Sequence, residues 1–198
     1  MSDYCRNGIS PALVFRDLGK LVVHVDSLRD ASPKIRICLT SGTFDLLHIG
    51  HTLYLQAARS FGHFLIVGMD SDERVRNRKG PSRPIVPENE RMMTLAHNRY
   101  VDAVLVKEYG CPRWELIRLV RPDTLIVTQE TYTETELKQL RELCGELVVL
   151  PPQATTSTTA RIRKLQLEHA EEVGKAISSR LIEGLPGFIS EVLAGATK

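Results

Sequence analysis

The chain has 198 residues, of which 42% are hydrophobic and 25% are charged, and its formal net charge is only +2. This composition suits one globular domain of usual size with short appendages. A net charge so close to zero argues against a general nucleic-acid-binding protein, so we expect no nucleic-acid partner. Residues 1–10 lack the apolar segment of a signal peptide, and no apolar run approaches the ~18 residues of a membrane span. We therefore expect no membrane partner.

The four cysteines are widely spaced and form no CxxC pair, which argues against a structural zinc site. Cys38 falls in an apolar run, where a small buried filler is the simplest interpretation. This cysteine usage predicts a reducing, cytoplasmic setting.

Residues 1–34 predict an N-terminal arm. The run Leu21-Val22-Val23-His24-Val25 is compatible with an extra strand, but short elements that pack on the core or on a second subunit are the preferred interpretation. At the other end, residues 166–198 predict a C-terminal helical extension, with a break at residues 184–187 and a short apolar helix after it. Both appendages suit subunit contacts, so we expect a homodimer.

Between these appendages, residues 35–165 alternate apolar runs with segments that carry an apolar stripe. The runs predict strands at residues 35–40, 64–69, 103–106, 124–127 and 147–150. The striped segments predict helices at residues 51–61, 88–99, 112–120 and 134–144. Near-continuous apolar strands that alternate with helices indicate a parallel sheet covered on both faces. We predict an α/β fold with a Rossmann-like, doubly wound five-stranded parallel sheet, whose ligand binds at the carboxyl ends of the strands.

The segment from Gly42 to His51 follows the first predicted strand and opens the next helix. His48 and His51 are three residues apart, so they lie on one helix face about one turn apart. Gly50 between them lets a ligand approach the backbone. A helix N-terminus carries free N–H groups and partial positive charge. Two structural histidines are the alternative, but the strand, turn and helix start around the pair favour a polyphosphate site.

Five basic residues lie in the segment from residue 70 to residue 87, which leaves the same edge of the sheet. They are Arg74, Arg76, Arg78, Lys79 and Arg83. Gly80 and three prolines predict a loop here rather than a helix. A solvated charged face is the ordinary interpretation of such a run. The position of this one favours a contact from Lys79 or a neighbour to phosphate.

Two further segments are candidates for the site. Pro87 opens a helix with acidic residues in its first turn, and Arg91 lies one turn in, where a salt-bridged arginine is the alternative. Residues 154–160 are rich in hydroxyl groups and follow the last strand. Helix capping alone would explain them. Because they leave the carboxyl edge of the sheet, we expect them also to hold β- and γ-phosphates.

The chain resembles the cytidylyltransferase-like nucleotidyltransferases over residues 35–165. His48-Ile49-Gly50-His51 matches their HxGH signature, and Ser157-Thr158-Thr159 matches their second signature. The resemblance implies direct transfer of a nucleotidyl group from an NTP to a small phosphorylated acceptor, with Mg²⁺ bound mostly by phosphate oxygens and water. It implies catalytic roles for His48, His51, Lys79 and Arg91. It implies nucleotide binding by Gly42, Thr43, Phe44, Asp45, Gly50, Ser157, Thr158 and Thr159.

Two substrate classes share parts of this sequence. Residues 79–84 with Glu90-Arg91 resemble the heptose-1-phosphate adenylyltransferases, whereas residues 42–48 resemble the glycerol-3-phosphate cytidylyltransferases and the archaeal-type FAD synthetases. The cytidylyltransferases carry an arginine before the second signature, where this chain has Pro152-Gln153-Ala154. The heptose enzymes carry a Lys-Gly-Gly-Asp type segment after the fourth strand, where this chain has residues 127–132. The missing arginine favours ATP as the donor.

We therefore expect NMP transfer to a sugar or polyol phosphate. A CTP-dependent enzyme acting on a polyol phosphate, an amino-alcohol phosphate or a phosphonate is the alternative. A nucleotide-binding sensor without turnover is the alternative outside the enzymes. The His-Ile-Gly-His sequence also occurs in class I aminoacyl-tRNA synthetases, but their Lys-Met-Ser-Lys-Ser type loop and anticodon-binding region have no counterpart in this sequence.

Overall fold

A computed structural model describes residues 11–129, 131–151, 153, 165 and 167–180. The chain divides into two compact units, Met1–Thr155 and Thr156–Lys198. In the second unit, the described residues 167–180 are helical. Among the described residues, no helix combines the length and the apolar character that a membrane crossing requires.

The first unit alternates strands and helices along the chain. The strands are β1 (Leu13–Phe15), β2 (Ile37–Gly42), β3 (Phe64–Asp70), β4 (Ala103–Lys107), β5 (Thr124–Thr128) and β6 (Glu146–Leu150). The helices are α1 (Leu18–Ala31), α2 (Ile49–Arg59), α3 (Asp72–Lys79), α4 (Glu88–Ala96), α5 (Glu115–Val120) and α6 (Glu134–Arg141). The strands form one sheet in the order β1-β4-β3-β2-β5-β6, and every pairing is parallel. The predicted doubly wound α/β fold is confirmed, with six strands instead of five.

The additional strand, β1, and helix α1 lie within residues 11–34, part of the segment for which the sequence predicts an arm. The Leu21–Val25 run is helical rather than extended, so the strand interpretation is wrong. Its register explains the difference, because Leu21 and Val25 are four residues apart and both are fully buried on one helix face. Asp17 caps the helix by accepting a hydrogen bond from the N–H of Lys20 at 3.1 Å. These residues therefore belong to the layered core.

Two hydrophobic layers cover the sheet, one on each face. One layer packs the buried faces of α1, α5 and α6 against residues such as Leu39, Ile66 and Leu125. The other packs α2 and α4 against the alternate strand residues, such as Leu65 and Val67. Because adjacent strand residues face opposite sides, a strand buried on both faces reads as a continuous apolar run, and this is why the runs were visible in the sequence.

The segment after β3 contains helix α3, so our prediction of a loop over residues 70–87 is wrong for its first half. Ser71 caps this helix by accepting from the N–H of Arg74 at 3.3 Å. Acidic residues occupy the first turn and basic residues the last, which complements the helix dipole. Gly80 ends the helix with φ +97°, a conformation that favours glycine. The prolines shape only the connection from Gly80 to α4.

The strand order reverses at β2, because the chain continues from β2 to β3 on one side and β5 occupies the other side. In doubly wound sheets the ligand crevice opens at such a reversal, outside the carboxyl ends of the strands. The segment that follows β2 is the one that contains His48 and His51. The fold therefore places the paired histidines at the edge where a ligand is expected.

Candidate active site

The two histidines build the start of helix α2. The backbone N–H of Gly50 donates to Nδ1 of His48 at 3.1 Å, and the N–H of His48 donates to Nδ1 of His51 at 3.3 Å. This is a reciprocal capping box in which imidazoles replace the usual hydroxyl and carboxylate. Because each Nδ1 accepts a hydrogen bond, we assign the ring proton to Nε2 in both histidines. Each ring then presents Nε2–H as a donor.

Both rings belong to one compact group. Their centroids are 4.1 Å apart, and the ring of Phe44 lies 5.8 Å from that of His51. Burial, followed by the neighbouring His48 and Lys79, lowers the pKa of His51 to about 4, against the opposing effect of Asp45. His51 is therefore neutral near pH 7 and acts as a hydrogen-bond donor rather than as a cation. Because the charge of Lys79 acts on His51, this predicted lysine belongs to the electrostatic environment of the histidine pair.

The connection from β2 to α2 has an unusual backbone. Phe44 and Leu46 have φ +52° and +47°, in the left-handed region that residues other than glycine rarely adopt. Such residues cost of order 1–3 kcal/mol each and are concentrated at functional sites. The Phe44 ring is buried against Gly42, where a Cβ would lie 3.0 Å from Cε2 of Phe44. A side chain at position 42 would therefore press on the Phe44 ring.

Asp45 joins this connection to the segment after α3. Its buried carboxylate accepts from the N–H of Ile85 at 3.0 Å and from that of Val86 at 2.9 Å. It also pairs with Arg83 at 2.7 Å. These contacts give Asp45 a structural task that the sequence did not reveal. Its predicted role in nucleotide binding stays a prediction.

Arg91 is the largest fully buried side chain in the described part of the chain, with 1% exposure. Its Nη1 donates to the carbonyl oxygens of Thr43 at 2.6 Å and Asp70 at 3.0 Å. Nε donates to the carbonyl oxygen of Val86 at 3.0 Å, and Nη2 pairs with Asp72 at 2.7 Å. The guanidinium therefore joins the ends of β2 and β3, the start of α3 and the connection to α4. This geometry favours a positioning role, and the predicted direct contact with substrate stays a prediction.

Of the remaining predicted site residues, the structure describes Lys79 but not the hydroxyl-rich segment. Lys79 ends helix α3, and its pKa is lowered by partial desolvation and by Arg78 and Arg83. This shift indicates a local concentration of positive charge. The hydroxyl-rich segment that contains Ser157, Thr158 and Thr159 lies outside the described residues, so its predicted contact with phosphates stays a prediction.

The sequence did not reveal how α2 is anchored to the sheet. The hydroxyl of Tyr54 lies 2.6 Å from Oγ1 of Thr40 and donates to the carbonyl oxygen of Ile126 at 3.2 Å. Tyr54 lies one turn after His51 on the same helix, so this contact fixes the helix against β2 and β5. Burial raises the pKa of the Tyr54 hydroxyl, which keeps it a donor. The only sequence signal was a tyrosine at an otherwise apolar position of the stripe.

Among the described residues, no three histidine, cysteine or carboxylate side chains converge as a metal site. The predicted binding of Mg²⁺, mostly by phosphate oxygens and water, stays a prediction.

A parallel sheet that carries paired imidazoles at a helix start, outside the carboxyl ends of its strands, is typical of an α/β phosphate-binding domain. The family model described as cytidylyltransferase-like matches residues 39–184. The chain belongs to this cytidylyltransferase-like family, and the resemblance stated from the sequence is confirmed.

Curated relatives share the name "Bifunctional protein HldE". The protein of Methylobacillus flagellatus is 37% identical over 152 residues, which cover 75% of this chain and 30% of that protein. The protein of Syntrophotalea carbinolica is 39% identical over 153 residues, which cover 74% of this chain and 31% of that protein. The chain therefore spans about a third of the length of the curated relatives it matches.

Solved structures share the fold. The lipopolysaccharide core biosynthesis protein of Thermoplasma volcanium is 28% identical, with a TM-score of 0.51, and the match covers 59% of this chain and 95% of that one. The pantoate-beta-alanine ligase of Francisella tularensis also has a TM-score of 0.51, over 71% of this chain and 67% of that one. At 15% identity the second likeness shows the fold alone.

Proposed function

We propose that this chain transfers an NMP group, preferably AMP, from an NTP to a sugar phosphate and releases pyrophosphate. The observation that carries the proposal is the imidazole capping box at the start of α2, in which both Nδ1 atoms accept from the backbone. The proton of each ring is therefore assigned to Nε2. Three likenesses support a sugar phosphate as the acceptor. They are the resemblance to heptose-1-phosphate adenylyltransferases, the HldE relatives and the likeness to a lipopolysaccharide core biosynthesis protein.

The reaction needs no strong base, because a phosphate oxygen of the acceptor is already anionic near neutral pH. That oxygen attacks the α-phosphorus, a new P–O bond forms, and the bond to the β-phosphate oxygen breaks, so pyrophosphate leaves with the electron pair. The Nε2–H groups of His48 and His51 would donate to the α-phosphate oxygens, where negative charge rises in the transition state. Lys79 would add positive charge. Mg²⁺ would neutralise charge on the phosphates.

Arg91 and Asp45 would act through the backbone rather than on the substrate. Both tie the segment after β2 to the segment after α3. A preorganised loop does not have to reorganise during the reaction, which is the condition under which fixed donors are most effective. We further infer a cytoplasmic setting, because Cys38, Cys111 and Cys144 are free thiols.

The test is to incubate the protein with Mg²⁺, each NTP in turn and a panel of phosphorylated acceptors, and to follow pyrophosphate release and product mass. We expect adenylylated sugar phosphate as the main product. A cytidylylated polyol phosphate or phosphonate would instead establish the alternative donor and acceptor. Binding of nucleotide without release from any acceptor would establish a sensor and reject the proposal.

The imidazole assignment has its own test. We expect His51→Gln to lower kcat by ~10²-fold or more, because a donor to the developing charge is lost. His97→Gln is the matched control, since His97 is exposed at the end of α4. Near wild-type turnover of the His51 variant would reject the role of the pair.

A further inference from the structure

A buried carboxylate at the carboxyl end of β3 is surrounded by three cations. Oδ2 of Asp70 lies 2.8 Å from Arg78, and Oδ1 lies 2.9 Å from Nζ of Lys107 and 3.3 Å from Nε of Arg74. Asp70 is 1% exposed, whereas Arg78 is 52% exposed. We call these four residues the Asp70 cluster. One negative charge cannot balance three positive charges, so the cluster has an excess of positive charge.

Two neighbouring carboxylates are already paired with other cations. Asp72 is paired with Arg91 at 2.7 Å, and Asp45 is paired with Arg83 at 2.7 Å. The pKa of Lys107 is lowered, first by burial and then by Arg74 and Arg78, against the effect of Asp70. The chain as a whole is nearly balanced, with 26 lysine and arginine residues against 24 aspartate and glutamate residues, so the three-to-one ratio around Asp70 is a local excess. Desolvated cations that repel one another gain most from an added anion.

The cluster adjoins the segment on which transfer is proposed to occur. Arg78 donates to Asp70 at 2.8 Å and to Oγ1 of Thr43 at 2.6 Å. Thr43 directly precedes Phe44 in the segment after β2. Asp70 and Lys107 face each other across the β3–β4 pairing. A bound anion at the half-exposed Arg78 would therefore lie beside, but not on, the imidazole pair.

Gly68 leaves space for three neighbouring side chains, one of which is Lys107. A Cβ at this position would lie 3.3 Å from Cδ of Lys107, 2.7 Å from Oγ of Ser41 and 2.5 Å from Cδ2 of Leu116. The aliphatic stem of Lys107 thus packs over the centre of the sheet, and its ammonium group extends to the sheet edge. Lys107 is 14% exposed, so packing fixes its position.

Tyr132 borders the same region from the β5–α6 connection. Its pKa is raised by burial and then by Asp70, and is lowered by Arg78, so both charges act on its hydroxyl. The phenol is neutral near pH 7 and can donate a hydrogen bond. Tyr132 belongs to the segment that departs from the Lys-Gly-Gly-Asp pattern of the heptose enzymes. The chain therefore presents a different set of polar groups at this edge.

We propose that the Asp70 cluster is a subsite for a second anionic group of the acceptor, so that the preferred acceptor is a sugar phosphate with an additional carboxylate or phosphate. This inference rests on the proposed function, because it assigns the acceptor of that same site. Because Nη2 of Arg78 donates to Thr43 and Asp70, Arg78 would donate to an anion from Nε and Nη1, and Lys107 offers a fixed point charge. Asp70 holds the three cations together when the subsite is empty.

The experiment compares acceptors with and without a second anionic group. Hexose 1-phosphates are paired with counterparts that carry a carboxylate or a second phosphate at carbon 6, and kcat and KM are measured for the 198-residue chain. We expect at least ~10-fold higher kcat/KM for the counterparts, through KM, since hydrogen bonds to charged groups are the stronger ones. Preference for the carboxylate or for the second phosphate identifies the anion.

The key variant is Lys107→Gln, with Lys107→Arg as its conservative partner. We expect Lys107→Gln to raise KM for the doubly anionic acceptors about 10–100-fold and to leave the singly anionic acceptors and the NTP within about 3-fold. Lys107→Arg should restore part of the loss. Lys34→Gln is the matched control, because Lys34 is exposed and precedes β2 at the opposite edge of the sheet. If Lys107→Gln unfolds, Lys107→Met supplies the same test with the apolar stem kept.

Four outcomes would overturn the inference. Equal efficiency with both acceptor classes, or an equal effect of Lys107→Gln on both, would remove the subsite and leave the proposed function intact. A raised KM for the NTP instead of the acceptor would assign the cluster to the nucleotide. Failure to nucleotidylate any acceptor would reject the proposed function itself, and this inference with it.

Discussion

Arg91 offers the sharpest test of how the site is held together. Replacement by Met removes four donated hydrogen bonds and leaves the carbonyl oxygens of Thr43, Asp70 and Val86 without this donor. It also leaves Asp72 without its cation. Removing one partner of a buried ion pair costs about 3–5 kcal/mol, and each buried acceptor left unpaired costs about 1–3 kcal/mol. Water can reach Asp72, which is 26% exposed, so we expect a total of about 3–5 kcal/mol rather than the full sum.

Urea denaturation at pH 7 measures this loss as a change in the free energy of unfolding. A domain of this size has about 5–15 kcal/mol to lose, so the effect is large but measurable. Arg91→Lys should also lose about 2–3 kcal/mol, because an ammonium group cannot reproduce the planar fork. Arg76→Met is the control, since Arg76 is exposed on α3, and we expect a change within about 0.5 kcal/mol. A loss below about 1 kcal/mol in Arg91→Met would refute the positioning network.

Three further outcomes follow from single contacts. The pKa of His51 falls from 6.5 in the unfolded chain to about 4 in the folded chain. The free energy of unfolding, measured by urea titration at each pH, should therefore drop by about 1–2 kcal/mol, allowing for solvent screening, as pH is lowered from 6.5 towards 4. An equal drop in His51→Gln would contradict this. Gly145→Ala should destabilise by about 1–3 kcal/mol, since its Cβ would lie 2.7 Å from the Asp123 carbonyl oxygen, whereas Gly110→Ala, with no atom within 4 Å, should be neutral in thermal melts. Tyr54→Phe should cost about 1–3 kcal/mol, and an unchanged melting temperature would show that the buried hydroxyl does not anchor α2.

Some of the site was accessible from local sequence alone. The HxGH segment places two imidazoles within one helical turn, and this proximity is set by helix geometry rather than by distant packing. The strands were visible because burial on both faces makes each strand a continuous apolar run. Local rules failed over residues 72–79, where Gly80 and the prolines after it suggested a loop. There Ser71, the acidic first turn and Gly80 specify a helix whose apolar face is little more than Val75.

The amino-acid sequence by itself determined the sheet class, the strand–turn–helix with its two histidines and the family, because each depends on the periodicity or spacing of nearby residues. Tertiary structure alone decided that Arg91 is buried among four chain segments. It also decided that Asp45 accepts hydrogen bonds from the segment after α3, and that Lys107 pairs with Asp70 beside Arg78. These contacts join residues about 20 to 50 positions apart through strands β2, β3 and β4. Which strand ends become neighbours is fixed by the packing of the whole sheet, and no local pattern encodes it.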